Sequence, residues 1–348
     1  MAPSNRDFAN YDIAGRKISS PNIKPEDIIR VRKKKKSAPR ARWAVIALTV
    51  VCVVIGIVII SAAALLLYVN SLNKAMDFDD PALTSQLNSK LVAVSEESEP
   101  FYSLLLGSDA RESSDVGRSD TIILVRADLS SGTITLVSIP RDTKVEIEGH
   151  GTQKINAAYA FGGAAGAIDA IQDFAGVEIA HYGEIRFEQL ENLVDYFGGV
   201  WIDIPVSNDQ TGSTNTHVDL PAGVHLLDGK QALAFARERY GYTRGDYQRS
   251  DNQKLLVRAL MDEITDESFL ALPATMHQVA SCIGTDLTIA DMIPMAQALH
   301  GEELTVYTAT VPSSTQTIGG VSYVIADEDA WKKMMANVDA GREPNKGL

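Results

Sequence analysis

Residues 43–68 read WAVIALTVVCVVIGIVIISAAALLLY, a run without a charge or a proline. At about 1.5 Å of rise per residue, a helix of this length exceeds the roughly 20 residues that a bilayer core requires. The run predicts a transmembrane helix, so whatever follows it folds as a separate body. A cleavable signal peptide has a shorter apolar core with a small-residue site close behind it, and the length here predicts a retained signal-anchor. Orientation follows from the flanks. Residues 1–42 carry twelve Lys and Arg against four Asp and Glu, whereas the rest of the chain carries 20 against 41. The positive-inside rule then puts the N-terminus in the cytoplasm and the large acidic part outside. The first 42 residues have few apolar positions and no helical period, which predicts a disordered tail. They leave no room for a DNA-binding domain, and their basic run reads as a topology signal, not as a nucleic-acid site.

The outer part must be stable without a disulfide, because Cys52 lies in the apolar run and Cys282 beyond it. Its six histidines show no HxH or HExxH spacing, which argues against a His-ligated zinc or iron site. With 348 residues and 45% hydrophobic content, the chain can bury one large core or two smaller ones. Residues 70–100 form a polar stalk with an amphipathic stretch at 82–94. Strand-like runs follow at 102–106, 121–126 and 133–139, the last two joined by a turn over 128–132. A helix over 164–175 ends at Gly176, and a strand over 182–187 leads into a helix that ends at Gly198-Gly199. A strand at 200–206, a polar loop at 208–220 and a helix capped by Asp228, with Arg237 and Arg239 in its last turn, come next. The C-terminal third offers helices at 269–283 and 289–300, strands at 304–311 and 321–325, and a helix from Glu328, which read as the completion of the same sheet. Alternating strands and helices imply an α/β fold, a central sheet flanked by helices.

The chemistry gathers at strand ends. Between residues 103 and 142, apolar runs stop at Gly107-Ser108-Asp109, restart after Gly117-Arg118-Ser119-Asp120, and stop again at Pro140-Arg141-Asp142. Carboxylates hold hard cations such as Mg²⁺ through oxygen, and arginine matches the bidentate face of a phosphate. Four of the eleven arginines that follow the apolar run fall between Arg237 and Arg249, crowded enough to repel unless an anion joins them. Asp246 and Arg249 stand three apart, so on a helix they share a face. The stretch 157–175, AAYAFGGAAGAIDAIQDFA, is rich in small residues, which suits close helix packing or room for a prenyl chain.

The segments GSDARESSDVGRSDT, SIPRDT, KINAAYAFGG, DYFGGV, LLDGKQALAFARERY and GDYQRSDNQ occur in the order and spacing of the LytR-CpsA-Psr family. The chain resembles that family from about Phe101 to the helix near Ser250, and more weakly beyond. The resemblance implies an extracellular domain over 101–340 with a central mixed β-sheet, behind a tail (1–42), an anchor (43–69) and a stalk (70–100). It implies a phosphotransferase that moves a polyprenyl-pyrophosphate-linked glycopolymer of teichoic acid, capsule or arabinogalactan type onto peptidoglycan at the outer face of the membrane. Carried over by position, Arg118, Arg141, Arg237, Arg249 and Gln253 match the family's pyrophosphate contacts. Asp109 and Asp120 match its Mg²⁺-associated carboxylates, Arg239 and Asp246 also fall on family positions, and Arg111 is a looser match. Asp109 or Asp246 would take the proton of the attacking hydroxyl. Two rival readings use the same residues or fewer: a pyrophosphatase or phosphodiesterase with water as acceptor, and a non-enzymatic membrane-anchored wall-binding regulator. The implied partners are the lipid-linked glycan, the peptidoglycan acceptor and membrane lipid, with no nucleic acid.

Overall fold

A computed structural model of the chain describes residues 81–94, 99–108, 119–268, 271–299 and 304–348, with scattered positions between 53 and 67. The predicted tail, most of the predicted anchor, and Asp109, Arg111 and Arg118 lie outside the described residues. Among the described residues, no helix is long and apolar enough to cross a membrane. All elements described from Pro81 onward belong to one unit, Ala63–Leu348.

The first half of that unit contains, in chain order, α1 (Pro81–Asn88), β1 (Phe101–Ser108), β2 (Ser119–Asp128), β3 (Thr133–Ser138), β4 (Lys144–Ile147), β5 (Gly151–Lys154), α2 (Ala157–Ala175), β6 (His181–Arg186), α3 (Phe187–Tyr196) and β7 (Val200–Ile204). The second half contains β8 (Gly223–Leu227), α4 (Gly229–Arg237), α5 (Asp246–Asp266), α6 (Leu272–Cys282), β9 (Ile283–Thr285), α7 (Ile289–Leu299), β10 (Thr305–Thr310), β11 (Ser313–Ile318), β12 (Val321–Ala326) and α8 (Glu328–Asp339). Six strands form a mixed sheet in the order β10-β3-β2-β1-β6-β9. Strand β1 runs parallel to β6, β3 runs parallel to β10, and β2 lies antiparallel between β1 and β3. One rim of the sheet therefore receives the C-terminal ends of β1, β3, β6 and β10 together with the start of β2. These are the ends that the sequence loads with charge.

Alternation along the strands sends successive side chains to opposite faces. Leu104, Leu106, Ile122, Leu124, Val137 and Ile139 pack with Ile168, Ile171, Trp331 and Met334 of α2 and α8. Ile123, Ile134 and Leu136 face the other way, against Val257 and Met261 of α5. A third core joins Leu190, Leu193, Val200, Ile202, Phe235, Leu256 and Leu272 between α3, α4, α5, α6 and the β7–β8 hairpin. Each fully buried Leu or Ile contributes about 1.5–3 kcal/mol relative to exposure, so cores of this size hold the fold without a disulfide.

Four expectations need correction. The end of the predicted stalk is part of the body: Leu87, only 2% exposed, sits in the first core and Leu91 packs against it. Strand β12 completes no central sheet but pairs with β11 in a separate hairpin, because β10 already occupies the sheet edge. Helix α2 begins at Ala157, seven residues before its predicted start, and is broken at Gly163, whose φ of 59° and ψ of −150° suit only glycine. Helix α4 ends at Arg237, and Glu238 is extended, so Arg239 lies beyond the helix in the following turn. The small residues of α2 are used for packing: Ala158, Ala167, Ala170 and Ala175 are all buried.

Candidate functional site

Three elements aim side chains at the shared rim. After β3, Pro140 starts a tight turn in which its carbonyl accepts from the Thr143 amide at 2.9 Å and the Thr143 hydroxyl at 2.6 Å. Proline fixes the backbone there, and the Asn156 amide donates to the Arg141 carbonyl at 3.2 Å, so the Arg141 side chain leaves from a held backbone. It forms an ion pair with Asp120, at the start of β2.

Helix α5 enters over the rim from Gly245, whose φ of 53° makes the sharp entry. Asp246 and Arg249 do share a face, with Arg249 Nη2 at 2.8 Å from Asp246 Oδ1; the contact is a charge contact more than an aligned hydrogen bond. Arg249 is buried, and its Nη2 also donates to the Asp120 carbonyl at 3.3 Å. One turn on, Gln253 is buried and donates to the Ala236 carbonyl at 3.0 Å, which ties α5 to the end of α4.

The end of α4 supplies the remaining cations. The Arg237 guanidinium stacks 4.7 Å above the Phe187 ring, at the start of α3. Arg239 lies 4.5 Å over the Tyr240 ring and donates to its hydroxyl at 2.6 Å. From the loop between β7 and β8, Asn215 donates to the Arg237 carbonyl at 3.2 Å and accepts from the Arg239 and Tyr240 amides at 2.9 and 3.1 Å.

Together these groups enclose a pocket of about 180 Å³ lined by Asp120, Arg141, Arg237, Arg239, Arg249, Gln253, Phe187 and Asn215. Among the described residues, four guanidiniums thus meet one carboxylate, which Arg141 already engages. Among the described residues, neither Arg237 nor Arg239 pairs with a carboxylate, and the buried Nε–H groups of Arg141 and Arg249 find no acceptor. Burial pulls the Arg249 pKa down, Asp246 opposes that, and neighbouring Arg141 pulls it down further. Buried cations left short of partners are costly, and an anion with several oxygens is what relieves them. The volume is small beside the roughly 300–1,000 Å³ of drug-sized sites, which suits a phosphate group and not a whole glycan. A larger cavity of about 710 Å³ opens at the opposite rim, near Leu91, Phe101, His181 and Met295, and among the described residues neither lysine nor arginine lines it.

Six residues singled out in the sequence, Asp120, Arg141, Arg237, Arg239, Arg249 and Gln253, are brought together. Asp246 stands behind Arg249 instead of lining the pocket. Arg244 is a correction to the arginine-crowding argument: it turns outward, is well exposed, and pairs with Asp251 at 2.9 Å. Four contributors escaped the sequence reading. Asn215 lay in a loop read only as polar, and Phe187 read as a strand end. Glu238, between two arginines, was assigned no role. Glu184 is buried on β6 and accepts from the hydroxyls of Ser108, Tyr159 and Tyr182 at 2.7, 2.9 and 2.8 Å, bracing the end of β1. Among the described residues, no group of three or more His, Cys, Asp or Glu could hold a metal ion.

A mixed sheet flanked by helices, with an arginine-lined pocket at one rim, defines an α/β domain. The chain belongs to the LytR_cpsA_psr family, whose model matches residues 65–340. It is 34% identical over 233 residues to the polyisoprenyl-teichoic acid–peptidoglycan teichoic acid transferase TagU of Halalkalibacterium halodurans, covering 66% of this chain and 75% of the relative. It is 35% identical over 230 residues to TagU of Enterococcus faecalis, covering 65% and 72%. The crystal structure of B. subtilis TagV superposes with a TM-score of 0.61 at 27% identity, covering 71% of this chain and 98% of that one.

Proposed function

We propose that the chain is a membrane-anchored phosphotransferase that attaches a polyprenyl-pyrophosphate-linked glycopolymer to peptidoglycan. The observation that carries the reading is the pocket in which, among the described residues, four guanidiniums face one carboxylate and two buried Nε–H groups lack acceptors. The names of the relatives supply the substrate class, and the pocket supplies the means. Arg141, Arg237, Arg239 and Arg249 grip the two phosphates, and Gln253 sets the position of the α4 end against them.

In the transfer, a peptidoglycan hydroxyl oxygen attacks the glycan-side phosphorus, and the bond from that phosphorus to the bridging oxygen breaks. Polyprenyl phosphate leaves with the electron pair, and the hydroxyl proton passes to a carboxylate, either Asp246, which stands behind Arg249, or Asp109, which lies outside the described residues. The charge that grows on the leaving phosphate is met by donors already in place, the arrangement that lowers such barriers most. Asp120, with Asp109, offers the one or two carboxylates that Mg²⁺ takes when phosphate oxygens and water complete its shell. Bound there, Mg²⁺ would neutralise phosphate charge.

The test is full-length protein with a lipid-pyrophosphate glycan and peptidoglycan oligomers, the products read by mass spectrometry. A glycan–phosphate–peptidoglycan adduct is expected, lost with EDTA and restored by Mg²⁺, and slowed about a hundredfold or more in Arg249→Ala. Release of free glycan phosphate alone would make the protein a hydrolase, and full transfer in EDTA would remove the metal.

A further inference from the structure

We infer that Glu238 is the positioning residue of this site: its carboxylate latches the loop between β7 and β8 onto the turn that carries the arginines. The inference deepens the pyrophosphate reading and rests on it. Glu238 is 0% exposed. It stands between Arg237 and Arg239 in sequence, yet among the described residues it pairs with no cation. Its two oxygens instead accept from five donors. Three come from the loop: the Asn215 amide at 3.0 Å, the Thr216 amide at 3.0 Å and the Thr216 hydroxyl at 2.7 Å. Two come from the turn: the Arg239 amide at 3.0 Å and the Gly241 amide at 2.9 Å.

This arrangement has two consequences for the pocket. A carboxylate beside two arginines would ordinarily neutralise them; pointed into a nest of N–H dipoles, it leaves both guanidiniums to the ligand. It also fixes Asn215, whose amide group bonds the backbone on both sides of Glu238 and whose side chain lines the pocket. Loop and turn meet closely enough that only glycine fits at Gly241, where a Cβ would stand 1.6 Å from the Asn208 carbonyl oxygen. Burial pushes the Glu238 pKa up, but the Thr216 hydroxyl and the Gly241, Asn215 and Thr216 amides outweigh it and hold the carboxyl below its usual range. The latch is thus a charged one.

Glu238→Gln keeps the volume but turns an NH₂ toward donors, orphaning part of the nest. In full-length protein in detergent micelles, calorimetry with inorganic pyrophosphate should show affinity about tenfold weaker, the order expected for losing one or two buried hydrogen bonds. Hydrogen exchange should speed up at the amides of residues 215, 216 and 241 while β1–β3 stay protected. Because Glu238 acts through Asn215, Asn215→Ala should weaken binding by itself but add little in the Glu238→Gln background, a non-additivity that general destabilisation would not produce. Should Glu238→Gln not fold, Thr216→Ala removes one donor of the five and should give about threefold weaker binding with faster exchange at 215 and 216. Unchanged exchange at those amides, unchanged pyrophosphate affinity, or fully additive losses would each overturn the latch. If wild-type protein binds no pyrophosphate, the pyrophosphate reading of the pocket falls, and the exchange arm still decides whether Glu238 holds the loop.

Discussion

Arg141 shows how much a single side chain can be asked to do at this rim. Its backbone is held by the Pro140 turn and by the Asn156 amide, and its guanidinium meets Asp120 at the pocket wall. If it grips the diphosphate with two parallel N–H bonds, Arg141→Lys keeps the charge and loses the planar fork. Both Arg141→Lys and Arg141→Ala should then cost on the order of 3 kcal/mol, about a hundredfold in transfer rate, with melting as the folding control. Near wild-type turnover by folded Arg141→Lys refutes the bidentate grip. Glu238 makes a separate prediction about acid. Its folded pKa lies below its usual range, so folding favours the charged form; that stability is present above the unfolded value near 4.3 and is lost as pH falls through the lower folded value. Thermal melts taken downward from about pH 5 should drop more steeply for wild type than for Glu238→Gln, and the two curves should converge in acid. Parallel curves would mean that Glu238 is not the charged latch.

At the scale of elements, the contact between the β7–β8 loop and the turn after α4 is a packing constraint as well as a polar one. Gly241 has an ordinary backbone conformation, so Gly241→Ala costs nothing in dihedral strain and everything in space: its Cβ would collide with the Asn208 carbonyl. We expect a loss of about 1–3 kcal/mol in stability together with weakened pyrophosphate binding. Gly212→Ala in the same loop is the control, with a left-handed φ of 73° but nothing within 4 Å of the added carbon. It should cost about 1–2 kcal/mol of strain and leave binding intact. Equal binding by both variants would show that the loop does not shape the pocket. These elements also mark what the sequence could reveal. Strands β2 and β3 were legible because alternating apolar residues flank a turn whose Asp128 accepts from Ser130 and Ser131. Asp228 was legible as a cap, and it accepts from the Gln231 amide at 2.9 Å. The arginines were legible as a group because thirteen residues hold four of them. Which three face the pocket was not, since Arg244 leaves for Asp251, a choice made by α5 and not by spacing. The capture of Glu238 by amides more than twenty residues earlier was invisible for the same reason, and so was the packing of Leu87 into a core that only tertiary structure assembles.

For the whole molecule, the field and the topology belong together. Outside the first 42 residues the chain is strongly acidic, yet it keeps a cationic pocket at one sheet rim, and a local site of this kind can draw a phosphate against the overall charge. Such a site can serve lipid-linked glycans and peptidoglycan only if the domain lies outside the cell, which makes orientation the decisive property at this scale. The uncharged run over 43–68 and its basic flank predict a cytoplasmic N-terminus and an outer domain. The check is a membrane-impermeant thiol label on intact cells, with Ser4→Cys or Ser213→Cys in a Cys282→Ser background. Position 213 is exposed, and the Cys282→Ser change leaves Cys52, inside the apolar run, as the remaining native thiol, so the engineered site should dominate the signal. Label at 213 in intact cells, with label at 4 only after lysis, is the expected pattern. Labelling of position 4 before lysis would place the N-terminus outside and, with a single span, the arginine pocket on the side where no peptidoglycan acceptor is found.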